Sequence, residues 1–94
     1  MSGRPFTLVI APTARRQLAE QLPESIAFAA YEFIVGPLLQ NPHRVGKQLR
    51  PPLDDRHSAR RGTYRVLYRI DDAAHRVTVV GVFGRADAYR SRGG

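Results

Sequence analysis

Cysteine is absent from the 94-residue chain, which excludes disulfides, thiolate metal sites and thiol nucleophiles. Lysine is nearly absent as well: fourteen of the fifteen basic residues are arginine, and only Lys47 is lysine. Long apolar runs are missing. Phe6 to Ala11 is too short for a signal-peptide core, and Glu32 with Gly36-Pro37 breaks the longest apolar stretch well below membrane-spanning length. Three histidines, His43, His57 and His75, lack the close spacing and carboxylate company of a zinc site; His43 and His75 read as loop surface residues. There are no internal repeats, and only the final "SRGG" looks frayed. What remains is a single domain over residues 1–94, with room for a two-layer core and a cytoplasmic location as the default expectation.

The charge that is present is unevenly placed. Residues 1–42 hold Arg4, Arg15 and Arg16 against Glu20, Glu24 and Glu32, whereas residues 43–94 hold twelve basic and five acidic residues, so the whole net charge of +7 lies in the second half. A biased base composition in the gene would turn lysine into arginine, but it does not explain this placement. Concentrated arginine suits phosphate or an acidic partner, because guanidinium pairs with either through two parallel hydrogen bonds.

Hydrophobic spacing orders the elements. Phe6, Leu8 and Ile10 alternate as in a short strand. From Pro12 to Leu22 the spacing Ala14, Leu18, Leu22 makes one apolar helical stripe, with Arg15, Arg16 and Gln17 outside it and Pro23 closing it. A second helix uses Ile26, Ala30, Phe33, Ile34 and Leu38 as its inner face; Pro37 breaks its hydrogen bonding near the end and Asn41-Pro42 stops it. Residues 42–56 read as a connection whose order depends on a ligand, with a short edge strand around Lys47–Leu49. Period two then returns in His57–Arg61, Thr63–Ile70 and Arg76–Phe83, with "DDAAH" as a hairpin loop. The result is an α+β fold, β-α-α-β-β-β: two N-terminal helices on one face of a small, mainly antiparallel sheet, with a short C-terminal turn or helix. The other sheet face stays open.

That open face is where the arginines emerge. Along Thr63–Ile70, Tyr64, Val66, Tyr68 and Ile70 point one way, under the helices, and Arg65, Leu67 and Arg69 point the other. Arg56, Ser58 and Arg60 share a side of the preceding strand, so Arg60 and Arg65 are expected to face each other across the sheet, a destabilising like-charge pair that an anion would relieve. Asp54, Asp55, Asp71, Asp72 and Asp87 are the carboxylates that could neutralise the cluster internally. In "FGRADAYR", Arg85 and Tyr89 are four apart and share one face of a helical turn, a guanidinium and a phenol suited to a phosphate and a base.

The phrases "NPHRVGKQL", "RRGTYRVLYRID" and "VFGRADAYR", in this order behind two helices, resemble the RelE/ParE superfamily of toxins from bacterial toxin–antitoxin pairs, nearest the RelE branch. The likeness runs from about Phe6 to Arg90 and is most specific at Tyr64, Arg65 and Tyr68 followed by Arg85 and Tyr89. RelE-type members are ribosome-dependent ribonucleases that cut messenger RNA, using the 2′-hydroxyl of the RNA and no metal or cofactor. The resemblance implies that Arg65 and Arg85 clamp the scissile phosphate, that Tyr89 stacks on or positions a base, and that Arg60, Arg56 and Lys47 bind the RNA. It also implies an acidic, RelB-like antitoxin as partner.

Two departures accompany the likeness. Ser58 and Gly84 stand where many relatives carry a basic residue and a histidine, which removes candidate proton-transfer groups. Lys47 and His57 are the substitutes in reach of sequence reasoning, although His57 falls on the covered face of its strand, so the general base stays unassigned. The alternative is a toxin of the ParE type, which inhibits DNA gyrase by binding and cuts no RNA.

Overall fold

Residues 4–84 are described by the computed structural model. Thr7–Ile10 forms β1. The first helix, α1, starts at Pro12, whose fixed φ suits a first helical position, and runs as α-helix over Pro12–Arg16 before widening into a π-helical turn over Gln17–Gln21. Helix α2 covers Glu24–Phe33 and widens in the same way over Ile34–Leu38, around Pro37, which has no N–H to give to the helix. The expected break at Pro37 is thus accommodated by a wider turn.

The connection beyond holds more structure than its composition suggests. Pro42–Val45 forms a short helical turn, α3, and Lys47–Gln48 forms β2. Instead of waiting for a ligand, residues 48–56 are closed by their own bonds: Gln48 Nε2 donates to the Asp54 carbonyl (2.7 Å), and the Leu49 N–H donates to the Arg56 carbonyl (3.0 Å). His57–Arg60 (β3), Tyr64–Asp71 (β4) and Arg76–Gly84 (β5) complete the sheet.

The strand order is β1-β5-β4-β3-β2, with β1 parallel to β5 and every other pair antiparallel. Between Leu67 and Tyr68 the register slips, because Leu67 faces Gly81 and Tyr68 faces Val79, which leaves Val80 as an extra residue on β5. The ring of Phe83 lies where a side chain on Gly81 would start, 2.8 Å from the ideal Cβ position.

The core lies between the helices and one sheet face. Ala30, Ile34 and Leu38 from the α2 segment meet Val66, Tyr68, Val77 and Val79 from the sheet, all without solvent exposure. Each buried valine contributes roughly 1.5–3 kcal/mol relative to an exposed one. Across the sheet, a like-charge pair costs on the order of 0.2–1 kcal/mol. Packing on the covered side therefore outweighs the repulsion expected on the bare side.

Gln17 departs from the expectation that it lies outside the helical stripe: it is buried, and its Oε1 accepts the N–H of Val82 (2.6 Å). Three residues after Ala14, it shares that buried residue's face of the helix. Val82 lies past Val79, where the pairing with β1 ends, so the glutamine takes up a backbone donor near the end of that ladder.

Candidate nucleic-acid interface

The alternation along β4 is the one its sequence requires. Tyr64, Val66 and Tyr68 are buried beneath the helices, and Arg65 and Arg69 are exposed on the opposite side. Arg60 on β3 pairs directly with Arg65, and Phe83 on β5 flanks Arg65 from the other side. Lys47 pairs with Ser58, so the edge strand brings its cation to the same face. Arg44, Lys47, Arg60, Arg61 and Arg65 all line one open groove of about 470 Å³, and Ser58 contributes a small side chain to its lining.

Three of the described carboxylates are engaged elsewhere. Asp55 lies 3.7 Å from Arg56, Asp71 lies 3.9 Å from Arg76 and caps the Ala74 N–H (3.0 Å), and Asp72 meets His43 at 2.9 Å. Among the described residues, no carboxylate comes within 4.0 Å of Arg44, Lys47, Arg60, Arg61 or Arg65. Five basic residues therefore line one groove with no counter-ion among the described residues.

Arg56 is placed differently from the other candidates. It does not line the groove, and its buried Nε finds no hydrogen-bond partner among the described residues. Arg85 and Tyr89 lie outside the described residues, as does Asp87.

Arg44 and Arg61 line the groove although sequence reasoning passed over both. Arg44 was hidden in a segment read as a connection, where α3 now presents it. Arg61 had a signal in "RRG", a second arginine at the end of a strand. Its guanidinium sits 4.3 Å from the centre of the Phe33 ring, and its Nη1 donates to the Arg60 carbonyl (2.9 Å).

Behind the groove, the two motif tyrosines fasten the helices to the sheet. The Tyr64 hydroxyl donates to the Ala29 carbonyl (3.4 Å) and the Tyr68 hydroxyl to the Pro42 carbonyl (2.6 Å). Burial pushes the Tyr64 phenol up and raises that of Tyr68 to about 12, against an opposing pull from the Arg61 charge on each. These tyrosines are neutral anchors. Gly46 makes room for one of them, since a Cβ there would strike the Tyr68 hydroxyl and approach the Ser58 carbonyl to 2.8 Å.

His57 lies on the covered side, as its strand position predicts, with its ring 5.5 Å from that of Tyr68 and its buried Nδ1 without a hydrogen-bond partner among the described residues. Burial first, then the neighbouring His43, hold its imidazole below the usual range, with Asp72 pulling the other way. His43 is exposed, but on α3 rather than in a loop. His75 lies in the hairpin turn, as expected, and is half-buried there: at φ 55° its ring stacks on Phe6 (3.9 Å) and its Nε2 meets the Arg4 carbonyl (2.9 Å). None of the three enters the groove.

No family model matches the chain. Over 86 residues it is 54% identical to Toxin RelE of Mycobacterium tuberculosis, a match spanning 92% of this chain and 88% of that toxin. The chain belongs to the RelE family of toxins. Toxin RelG of the same organism is 51% identical over 86 residues, covering 92% of this chain and 98% of that one. The crystal structure of the RelBE2 toxin–antitoxin complex from M. tuberculosis superposes with a TM-score of 0.83 at 49% identity, covering 87% of this chain and 100% of that one. Isolated Escherichia coli RelE shares the fold, with a TM-score of 0.69 at 20% identity over 93% of this chain and 94% of that one. In this RelE-family toxin the α+β expectation holds, with helices on one face of a mixed five-stranded sheet. Among the described residues, no helix is long and apolar enough to cross a membrane.

Proposed function

We propose that this protein is the toxin of a type II toxin–antitoxin pair and that it cuts ribosome-bound messenger RNA at the arginine groove. The observation that carries the reading is the Arg60–Arg65 pair, held on rigid neighbouring strands and facing solvent with no carboxylate among the described residues to neutralise it. RNA supplies its own nucleophile. The 2′-oxygen bonds to the adjacent phosphorus, the bond from phosphorus to the 5′-oxygen breaks, and one proton leaves the hydroxyl while another reaches the departing oxygen. The phosphorane gains negative charge on the way, and a guanidinium fixed beside it stabilises that charge by roughly 3 kcal/mol, by analogy with a single oxyanion-hole donor.

Arg65 and Arg60 take this role, with Lys47 holding adjoining RNA. By resemblance, Arg85 is assigned the second grip on the phosphate and Tyr89 the contact with a base. The described groove supplies charge and placement rather than a base. Arginine does not readily give up its proton, because its pKa exceeds about 12; His57 faces away, and Tyr64 and Tyr68 are anchored and neutral. Substrate alignment by the ribosome then makes up the deficit, which accounts for a ribosome-dependent reaction in the cytoplasm. A cognate antitoxin rich in acidic residues silences the toxin by covering the same cations.

Purified translating ribosomes with mapped mRNA ends test the reading. Cuts that appear only when toxin and ribosome are both present are the expected result. Intact mRNA together with a loss of gyrase supercoiling activity would overturn it in favour of a gyrase poison.

A further inference from the structure

The groove carries more positive charge than its proposed reaction requires. One phosphodiester brings a single negative charge, and the phosphorane formed from it brings two. Arg60 and Arg65 alone balance that. Arg44, Lys47 and Arg61 line the same groove, and no described carboxylate offsets them. Such a surplus, on residues with no acidic partner among the described ones, is costly by self-repulsion unless a further anion arrives.

Arg61 is also prepared for one. Stacking on Phe33 occupies the face of its guanidinium, and the bond to the Arg60 carbonyl occupies one of its five N–H donors. The remaining donors form a planar edge that suits two oxygens of a phosphate, and much of the side-chain entropy is already lost in the free protein. Arg44 lines the same groove from α3.

We infer that Arg44 and Arg61 form a second phosphate site, which takes the phosphodiester flanking the scissile one in the bound RNA. The inference rests on the ribonuclease reading above and extends the same groove by one nucleotide. A groove of about 470 Å³ falls within the roughly 300–1,000 Å³ range of ligand sites. An acidic peptide offers carboxylates to the same cations, but arginine edges next to a phosphate-clamping pair favour a continuous RNA backbone, whose charges recur at every nucleotide.

The test uses the full chain and a single-stranded RNA oligonucleotide made uncleavable by 2′-O-methyl groups, with binding followed by fluorescence anisotropy across a salt series. The variant Arg44→Ala/Arg61→Met removes both charges while leaving an apolar stem over Phe33. Affinity is expected to fall about tenfold, the loss of one charge-assisted contact. The slope of log affinity against log salt is expected to flatten by about 0.7, the value for one neutralised phosphate on a single strand. If the double variant loses its thermal transition, Arg44→Ala alone, exposed on α3, must still weaken binding.

Unchanged affinity and slope, alongside a clear loss for Arg65→Ala, would overturn this inference and leave the ribonuclease reading intact. No loss for Arg65→Ala either would remove both. Should RNA binding persist while a glutamate-rich peptide of equal charge loses its affinity, the rim is a carboxylate site and the inference is wrong.

Discussion

Strand β4 presents two contrasting faces within eight residues. On one, Tyr64, Val66 and Tyr68 are buried, and both hydroxyls are spent on backbone carbonyls of the helical layer. On the other, Arg65 stands exposed opposite Arg60, with no acidic neighbour in the described structure. The same backbone fixes both sets. What the covered face gains in packing, the bare face uses to hold like charges together, and that contrast separates residues whose loss should unfold the protein from residues whose loss should only silence it.

The largest expected effect breaks the contrast on the bare side. Arg65→Ala should abolish growth inhibition, while its melting temperature stays at or slightly above that of wild type, because the change removes a like-charge pair worth no more than about 1 kcal/mol. Growth assays paired with thermal melts check both halves.

On the covered side, Gly46→Ala should destabilise by about 1–3 kcal/mol, since the added carbon overlaps the Tyr68 hydroxyl and the fold must shift to admit it. In a domain of this size, each kcal/mol lowers the melting midpoint by roughly 4–8 °C. Tyr68→Phe is milder at roughly 1–2 kcal/mol, because it leaves the Pro42 carbonyl without its donor but keeps the ring in place. Denaturant midpoints would rank the two.

The smallest effect is a pH dependence. His57 resists protonation in the folded chain, so the unfolded chain takes up the proton first as pH falls below about 6.5, its ordinary value. Stability should therefore decline from that point down through the lowered folded value, and rise again with pH. Replacing His57 by glutamine should flatten this part of the curve, which melts at pH 7 and pH 5 would reveal.

Much of this contrast was legible before the structure. Period two along Tyr64–Ile70 assigned each side chain to its face, the Arg60–Arg65 pairing followed from two adjacent strands, and Pro37 marked the break in α2. Less legible were several single positions. Gln17 was read as outside the stripe because it is polar, yet three residues after Ala14 it shares that residue's inner face, where its Oε1 accepts the Val82 N–H. Composition hid α3, whose proline and basic residues look like loop, so Arg44 went unnoticed. Arg61 was read as the end of its strand, whereas β3 stops at Arg60 and leaves Arg61 beyond the pairing. Its position comes from Phe33 on α2, a tertiary contact that local spacing does not encode.

Single-turnover cleavage of ribosome-bound mRNA, comparing Arg65→Ala with Tyr64→Phe, tests the division between the two faces most directly. These neighbours in sequence point to opposite sides of one strand. The account predicts a rate roughly 100-fold lower for the arginine variant, equivalent to about 3 kcal/mol, and a near-normal rate for the tyrosine variant. A folded Arg65→Ala protein that cuts as fast as wild type would contradict it.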